Sequence, residues 1–227
     1  DQSVQFRQRL ERLGQELPPD VAPQTLDRSG IAGLEPQLKD RFAQGFYLPA
    51  EGQLDNRALL ESLAEALVLE GADLHWGVTA DPLAFGEDWV IDCRGMGGKS
   101  AWPKLRGVRG EVVRVESRDV KLERPVRLLH PRYPLYIAPK PDGIFVIGAT
   151  QIETEDYSPA SVRSALELLS ALYSVHPGFG EGRILEIVSQ CRPALPDNAP
   201  EIRWNGGRQL AINGLYRHGY LMAPALM

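Results

Sequence analysis

A β-hairpin is predicted by the stretch LYIAPKPDGIFVIGAT, residues 135–150. Its two arms, 135–139 and 144–150, are rich in the β-branched and aromatic residues that favour strands. Between them stands Lys140-Pro141-Asp142-Gly143, a strong turn signal, because proline presets one turn angle and glycine takes a positive φ. An antiparallel sheet is therefore expected around this hairpin.

The β-rich pattern continues on both sides of the hairpin. Strands are predicted at 108–115 and 126–130 before it, and at 183–190 and 209–212 after it. The turn signal Asn205-Gly206-Gly207 precedes the last of these strands. The strands within 108–150 are therefore predicted to form mainly antiparallel pairs.

One helix is predicted within this β-rich half, at about 159–174. Ser158 is a favoured N-cap, and Pro159 suits the first helical position because its missing N–H would have no helical partner. The apolar positions that repeat at helical spacing are predicted to face inward: Val162, Ala165, Leu166, Leu169 and Leu172.

The first half of the chain contains both helical and strand patterns, and its helix–strand–strand stretch from 57 to 93 resembles a unit with a parallel sheet. Helices are predicted over 1–17, near 27–34 and over 57–70, where Asn56 is the expected N-cap and Gly71 the stop. Strands are predicted at 42–48, 73–78 and 88–93.

Composition and charge exclude several classes of protein. The 227 residues carry a net charge of -5 with a pI of about 5.5 and no long basic block, which argues against a nucleic-acid partner. No apolar run approaches the roughly 18 residues of a membrane-spanning helix. Cys93 and Cys191 suggest two buried thiols in a cytoplasmic protein, and the scattered histidines suggest no metal site.

The two ends of the sequence suggest a longer protein. The chain has no initiator Met and opens directly in a helical pattern. It stops at Leu226-Met227, inside an apolar run without a C-cap. We therefore expect these residues to be part of a longer polypeptide.

The first candidate site residue is Arg192, in the stretch QCRPALPDN, residues 190–198. A guanidinium binds a carboxylate through two parallel charge-assisted hydrogen bonds, and flanking prolines restrict the backbone that carries it. An enzyme that acts on a small amino acid needs such a group. The alternative is an internal ion pair with Asp197 or Glu201.

Three further candidates are Tyr136 and two glycine-containing segments, 214–219 and 91–98. The phenol of Tyr136 suits the same carboxylate; the alternative is an ordinary half-buried strand tyrosine. In 214–219, glycines before a helix start favour a ligand with anionic or electron-rich oxygens; the alternative is a plain strand-to-helix turn. In 91–98, a strand runs into glycines, but G-x-G-x-x-G is absent and the signal is weak.

Six short segments together resemble the D-amino-acid-oxidase family of FAD-dependent oxidoreductases, and within it the glycine oxidases of thiamine biosynthesis. The resemblance runs from about residue 34 to the end, and the order and spacing of the segments carry it. The segments are GQLDNRAL (52–59), VRGE (108–111), YIAP (136–139), GAT (148–150), CRP (191–193) and YRHG (216–219).

The resemblance implies an α/β chain with two domains that alternate along the sequence. Parts of an FAD domain of glutathione-reductase type would lie at 56–103 and 204–227. An α+β substrate domain, built on a large mixed, mainly antiparallel sheet flanked by helices, would comprise 1–55 and 104–203. The N-terminal βαβ unit with G-x-G-x-x-G is absent from these 227 residues, so this polypeptide alone is expected to hold FAD poorly.

The same resemblance implies roles for individual residues. Arg192 and Tyr136 would hold the substrate carboxylate, and Gln151 would lie beside the substrate. The residues implied for FAD binding are Val78 by the adenine, Gly95 near the pyrophosphate, and Gly214, Arg217, His218 and Gly219 near the flavin ring. No catalytic side chain is implied, because such enzymes are thought to pass hydride from the substrate to the flavin without an obligatory protein base.

The implied reaction is the oxidative deamination of glycine, or of a similar small amino acid or amine, to an imine and keto acid with release of hydrogen peroxide. Gln151 and His218 depart from some glycine oxidases, which have Met and Asn at these positions. A related sarcosine or D-amino-acid oxidase or dehydrogenase therefore stays open, and so does a non-catalytic substrate-domain fragment without flavin. The oligomeric state is also open, with a homo-oligomer among the alternatives.

Overall fold

The computed structural model describes residues 2–85, 88–129 and 135–226. The chain divides into two compact units. The first unit comprises Asp1–Leu59, Glu111–Thr150 and Pro159–Val188. The second unit comprises Leu60–Gly110, Gln151–Ser158 and Ser189–Met227. The assignment of a substrate domain and an FAD domain to the sequence stays a prediction.

The α-helices and strands of the described residues have the following bounds. The helices are α1 (Gln2–Glu16), α2 (Arg28–Leu34), α3 (Asn56–Leu69), α4 (Val162–Val175) and α5 (Gly219–Leu226). The strands are β1 (Gln24–Asp27), β2 (Gln44–Tyr47), β3 (Val90–Asp92), β4 (Arg106–Glu116), β5 (Val126–Leu128), β6 (Leu135–Pro139), β7 (Ile144–Gly148), β8 (Arg183–Ala194), β9 (Glu201–Trp204) and β10 (Gln209–Asn213).

The predicted hairpin is present and consists of β6 and β7. The two strands pair antiparallel, with Tyr136 opposite Gly148. In the turn, Asp142 and Gly143 have φ angles of 62° and 69°. Aspartate tolerates this left-handed conformation better than most residues do, so the turn uses two such positions rather than glycine alone.

The hairpin belongs to a five-stranded sheet with the order β5-β6-β7-β4-β8. The neighbouring pairs β5/β6, β6/β7 and β7/β4 are antiparallel, which confirms the predicted mainly antiparallel sheet. Alternate side chains of these strands, such as Val113, Ile137 and Ile147, are buried in the core of the first unit. β1 and β2 form a separate antiparallel pair. Only β2 was predicted from the sequence, because β1 contains a single apolar residue.

Helix α4 covers β6 and β7. Its N-cap is Ser161, whose hydroxyl accepts a hydrogen bond from the N–H of Ser164 at 3.1 Å. The prediction of Ser158 as the N-cap is therefore wrong. Its side chain forms a local turn instead, since the Ser158 N–H and hydroxyl both donate to the carboxylate of Asp156.

The buried face of α4 agrees with the predicted one only in part, since Leu172 is buried and Leu169 packs against the core as predicted. Leu168, Ala171, Leu172 and Val175 face the core, whereas Val162 and Leu166 are exposed. Apolar residues occur almost all around this helix, so two overlapping stripes fit the sequence. The position of the helix on the sheet selects one stripe, and the sequence pattern alone does not contain that information.

The second unit contains a three-stranded sheet with the order β3-β10-β9. β10 pairs parallel with β3 and antiparallel with β9. Ala211 of β10 belongs to a small core with Trp102, Leu105 and Leu195. The Arg203 guanidinium of β9 lies 3.8 Å from the centroid of the Trp102 ring, a cation–π contact that covers the indole.

Two predictions about the first half of the chain need correction. Residues 73–78 are not a strand, since a strand requires a hydrogen-bonded neighbour and none of the described strands pairs with this segment. Asn56 is the first residue of α3 rather than its N-cap. The carboxylate of Asp55 accepts from the N–H groups of Arg57 and Ala58, at 3.0 and 3.2 Å, and is the cap.

The predicted helix stop at Gly71 is confirmed. Gly71 has a φ angle of 88°. Its N–H donates to the carbonyl oxygen of Val68 at 3.0 Å, and the N–H of Ala72 donates to that of Leu67 at 2.9 Å. This pair of hydrogen bonds is the Schellman motif, in which glycine at the left-handed position ends a helix.

Both cysteines are free thiols. Cys191 is buried as predicted, whereas Cys93 is exposed, which corrects the prediction of two buried thiols. Cys93 directly follows β3, which lies at the edge of its sheet. Over the described residues, no helix is both long and apolar enough to cross a membrane, and no cluster of metal-binding side chains is found there.

Glu35 is a buried carboxylate in the first unit. It accepts hydrogen bonds from the backbone N–H groups of Glu123 at 3.0 Å and Arg124 at 2.8 Å. Burial raises the pKa of the Glu35 carboxyl, although these hydrogen bonds act in the opposite direction. The carboxylate therefore fastens the loop that carries Glu123 and Arg124 to the end of α2.

Replacement of Glu35 by alanine is expected to lower the free energy of unfolding by about 1–3 kcal/mol, because two partly buried N–H groups lose their acceptor. Urea unfolding of the full-length protein measures this change. Glu123→Ala removes an exposed carboxylate from the same loop and should change stability by less than about 0.5 kcal/mol. Equal losses in the two variants would contradict the fastening role of Glu35.

Candidate functional site

Arg192 lies on β8, and its guanidinium rests against the backbone of Gly110 on β4. A Cβ atom built at Gly110 would lie 2.1 Å from Nη2, 2.2 Å from Cζ and 2.3 Å from Nη1 of Arg192. These distances are far below van der Waals contact, so no side chain fits at position 110 while the guanidinium stays where it is. The half-buried Arg192 is therefore held on a strand, in a position that depends on glycine beside it.

The two carboxylates that offered Arg192 an internal ion pair have other partners. Glu201 pairs with Arg203, with Oε1 2.7 Å from Nε. Asp197 accepts a hydrogen bond from the N–H of Ala199 at 3.1 Å. Both carboxylates therefore have a described partner other than Arg192.

Asn213, at the end of β10, connects two of the predicted glycine segments. Its side-chain amide donates to the carbonyl oxygen of Gly95 at 2.9 Å and accepts from the N–H of Gly214 at 2.8 Å. Asn213 is 2% exposed, so both hydrogen bonds are needed to satisfy a buried amide. Asn213 was not among the site residues predicted from the sequence, where the available signal was an amide that closes an apolar strand directly before glycine.

Pro193, which follows Arg192 in sequence, contacts both the segment around Gly214 and the segment around Gly95. Its carbonyl oxygen accepts from the N–H of Tyr216 at 3.0 Å. Gly95 lies against its ring, since a Cβ at Gly95 would be 3.5 Å from Cγ of Pro193. The second unit therefore brings together the segments around Gly95, Arg192 and Gly214, which the sequence singled out separately.

The segment 214–219 makes a tight turn into α5. Gly214 is buried with a φ angle of 79°, and a Cβ there would lie 2.8 Å from Cδ1 of Leu195, so both conformation and space require glycine. Arg217 and His218 are exposed immediately before α5, which begins at Gly219. The first N–H groups of a helix have no intrahelical partner, so this end with its arginine favours electron-rich groups.

Gln151 is exposed and approaches the same turn. Its Oε1 atom lies 3.4 Å from Nη1 of Arg217, which donates a long hydrogen bond to it. Position 151, predicted to lie beside the substrate, is therefore next to Arg217, predicted to lie beside the flavin. The contact lies within the second unit.

The segment 151–158, which carries Gln151, is anchored at several points. The backbones of Arg109 and Ile152 exchange hydrogen bonds of 2.8 and 3.0 Å, and the buried Arg109 side chain donates to the carbonyl oxygen of Asp156 at 2.6 Å. The Lys99 ammonium donates to Glu155 and, together with the N–H of Gly107, lowers the pKa of the Glu155 carboxyl. Gln151 therefore extends from a fixed segment.

Tyr136 is half-buried on β6 in the first unit. Its ring lies over Gly148 of β7, because a Cβ at Gly148 would be 2.5 Å from the phenol oxygen. Glycine at 148 thus leaves room for the tyrosine, as glycine at 110 does for Arg192. Tyr136 and Arg192 belong to different units, and their convergence on one carboxylate stays a prediction.

Val78 is not brought to this group of segments by any described contact. It is exposed in the irregular segment between α3 and β3. The role of Val78 beside an adenine stays a prediction, as do the roles of the other predicted site residues.

The comparison with protein families gives a match over almost the whole chain. The model of the DAO family, FAD dependent oxidoreductases, matches residues 1–226. A relative from Rhizobium etli, named as a thiamine biosynthesis oxidoreductase, ThiO, is 47% identical over 201 residues. A glycine oxidase from Geobacillus kaustophilus is 25% identical over 221 residues. Each match covers 88% of this chain, which spans 61% and 59% of the two relatives.

Solved structures show the same fold. The glycine oxidase of Bacillus cereus has a TM-score of 0.78 at 21% identity, with 96% of this chain and 67% of that chain covered. The glycine oxidase of Geobacillus kaustophilus has a TM-score of 0.76 at 22% identity, with 89% and 60% covered. The predicted fold class is thereby confirmed, and together with the family match it shows that this chain belongs to the DAO family of FAD dependent oxidoreductases.

Proposed function

We propose that this chain carries the substrate site of an FAD-dependent oxidoreductase that deaminates glycine or a similar small amino acid or amine. The observation that carries the proposal is the guanidinium of Arg192, held against Gly110 beside the glycine segments at 95 and 214. The whole reaction would convert glycine, oxygen and water to glyoxylate, ammonia and hydrogen peroxide. The 47% identity to a thiamine biosynthesis oxidoreductase supports a place in that pathway. The proposed location is the cytoplasm, where free thiols such as those of Cys93 and Cys191 persist.

The described residues fit parts of an FAD molecule. Gly95, with a φ angle of 55°, and the buried Gly98 offer backbone without side chains, which suits a closely approaching pyrophosphate. The turn at Gly214, Arg217 and the start of α5 offer N–H groups and a cation, which suit the electron-rich oxygens of a flavin ring. Bound FAD would supply the two-electron acceptor for the oxidation of the substrate.

The work of the side chains in this proposal is binding and orientation. Arg192 would bind the substrate carboxylate through its planar fork, and the phenol of Tyr136 would donate a further hydrogen bond to it. A substrate fixed at its carboxylate presents its Cα and amine in a defined orientation, which is a large part of what such a site contributes to rate. Gln151 and Arg217, next to one another, would limit the size of the substrate.

Two alternatives have specific support. Gln151, at a position where some glycine oxidases have Met, favours a different small substrate such as sarcosine or a D-amino acid. The absence of G-x-G-x-x-G from these residues favours the second alternative, a substrate-domain fragment that does not retain FAD by itself.

The proposal is tested by oxygen consumption and peroxide release from the full-length protein, purified with its flavin. Glycine, sarcosine and D-alanine are compared at equal concentration, with L-glutamate as a control that has a larger side chain. We expect glyoxylate and peroxide in equal amounts from glycine. Turnover of none of the three small substrates would overturn the proposal, and a clear preference for sarcosine or D-alanine would select the corresponding alternative.

A further inference from the structure

We propose that Gly110 is a positioning residue for the substrate carboxylate, because its missing side chain creates the space that the Arg192 guanidinium occupies. The proposal rests on the proposed function and deepens it. It assigns a role in substrate binding to a residue that would itself touch neither substrate nor flavin.

The backbone at Gly110 does not by itself require glycine. Gly110 lies inside β4, and it is not among the described glycines with a positive φ angle. A strand interior disfavours glycine relative to residues with a side chain. The use of glycine at this position therefore needs another reason.

The reason lies in the contact with Arg192. The three heavy atoms closest to a Cβ at position 110 all belong to its guanidinium, at 2.1 to 2.3 Å. They form the end of a flexible side chain, which is able to move away. Alanine at 110 would therefore displace the guanidinium at small cost to folding, while the fork would lose the position from which it binds a carboxylate.

Gly107, the other glycine of β4 with close neighbours, contacts different residues. A Cβ at Gly107 would lie 2.7 Å from Cγ of Glu155 and 3.4 Å from Cβ of Cys191, so alanine there would disturb the anchored 151–158 segment. Gly45, inside β2 of the first unit, has only ordinary contacts, with the closest atom of Ile31 at 3.4 Å. Gly45→Ala is thus a matched control for a glycine replaced inside a strand.

The test uses the full-length flavoenzyme with Gly110→Ala, Arg192→Ala, both changes together, and Gly45→Ala. Steady-state kinetics with glycine give KM and kcat, and calorimetry with acetate gives the affinity for a bare carboxylate. Gly110→Ala is expected to raise both KM and the Kd for acetate by roughly 10- to 100-fold, with Tm changed by less than about 3 °C. Gly45→Ala should leave KM and the acetate affinity unchanged.

The double variant separates positioning from a merely structural role. If Gly110 acts through Arg192, adding Gly110→Ala to Arg192→Ala should raise KM no further. If each substitution raised KM independently, so that the two factors multiplied in the double variant, the inference would be overturned. A normal acetate affinity in Gly110→Ala would also overturn it. If Gly110→Ala alone does not fold, the double variant should fold, because the clashing guanidinium is gone; failure of both would also overturn it.

The outcome for Arg192→Ala distinguishes this inference from the proposed function. If Arg192→Ala weakens acetate binding and Gly110→Ala does not, the inference is wrong and the carboxylate site stands. If Arg192→Ala itself leaves acetate binding and KM unchanged, the carboxylate site is wrong, and the inference about Gly110 is overturned with it.

Discussion

Replacement of Arg192 by alanine is expected to raise the KM for glycine by about 30- to 1000-fold in the full-length flavoenzyme. Loss of a charge-assisted carboxylate group costs on the order of 2–4 kcal/mol, and each 1.4 kcal/mol corresponds to about a factor of ten. Arg192→Lys should recover only part of this loss, because an ammonium lacks the planar fork. Steady-state kinetics and thermal unfolding of the same samples measure the effect.

The ion-pair alternative for Arg192 predicts a different result. An arginine that only stabilises the fold would lower Tm when removed and leave KM nearly unchanged. Arg183→Ala is the matched control, because Arg183 is an exposed arginine at the other end of β8. A KM for Arg192→Ala equal to that of Arg183→Ala would remove the assignment of the substrate site.

Replacement of Trp102 by alanine is expected to lower the free energy of unfolding by about 3–5 kcal/mol, the largest stability effect predicted for this chain. The indole is 1% exposed in the small core of the second unit, and the Arg203 guanidinium covers its ring. The other buried members of that core are Leu105, Leu195 and Ala211, so little apolar area remains to compensate for the cavity. Urea unfolding of the full-length protein measures the loss.

The control for this substitution is Trp89→Ala in the same unit. Trp89 is 61% exposed and meets Trp204 edge to face, with ring centroids 6.0 Å apart. Removal of an exposed ring should cost no more than about 1 kcal/mol. Similar losses from Trp89 and Trp102 would show that burial in this core is not the source of the stability.

The parts of the fold that local chemistry determines could be predicted from the sequence. The β6/β7 hairpin follows from the turn residues Pro141, Asp142 and Gly143, and the end of α3 follows from Gly71, because these positions select a backbone conformation by themselves. The strand predicted at 73–78 was wrong because strand formation depends on a partner elsewhere in the chain. The buried face of α4 was predicted only in part, because several apolar stripes fit the same residues.

Some residues of the candidate site could likewise be singled out from local sequence, and others could not. Arg192 and Gly214 stand out because prolines and glycines around them restrict or free the backbone in a recognisable way. Gly110 and Asn213 do not stand out, because their importance depends on contacts with Arg192 and Gly95, residues distant in sequence. Such long-range contacts are visible only in three dimensions.

A crystal structure of the full-length flavoenzyme with bound acetate tests the central claim most directly. Acetate carries the carboxylate that every proposed substrate amino acid shares and lacks the amine that would be oxidised. The proposal predicts both acetate oxygens within about 2.9 Å of the Arg192 guanidinium, with the phenol of Tyr136 as a further donor. Acetate bound away from Arg192, with its guanidinium paired to a protein carboxylate instead, would contradict the account.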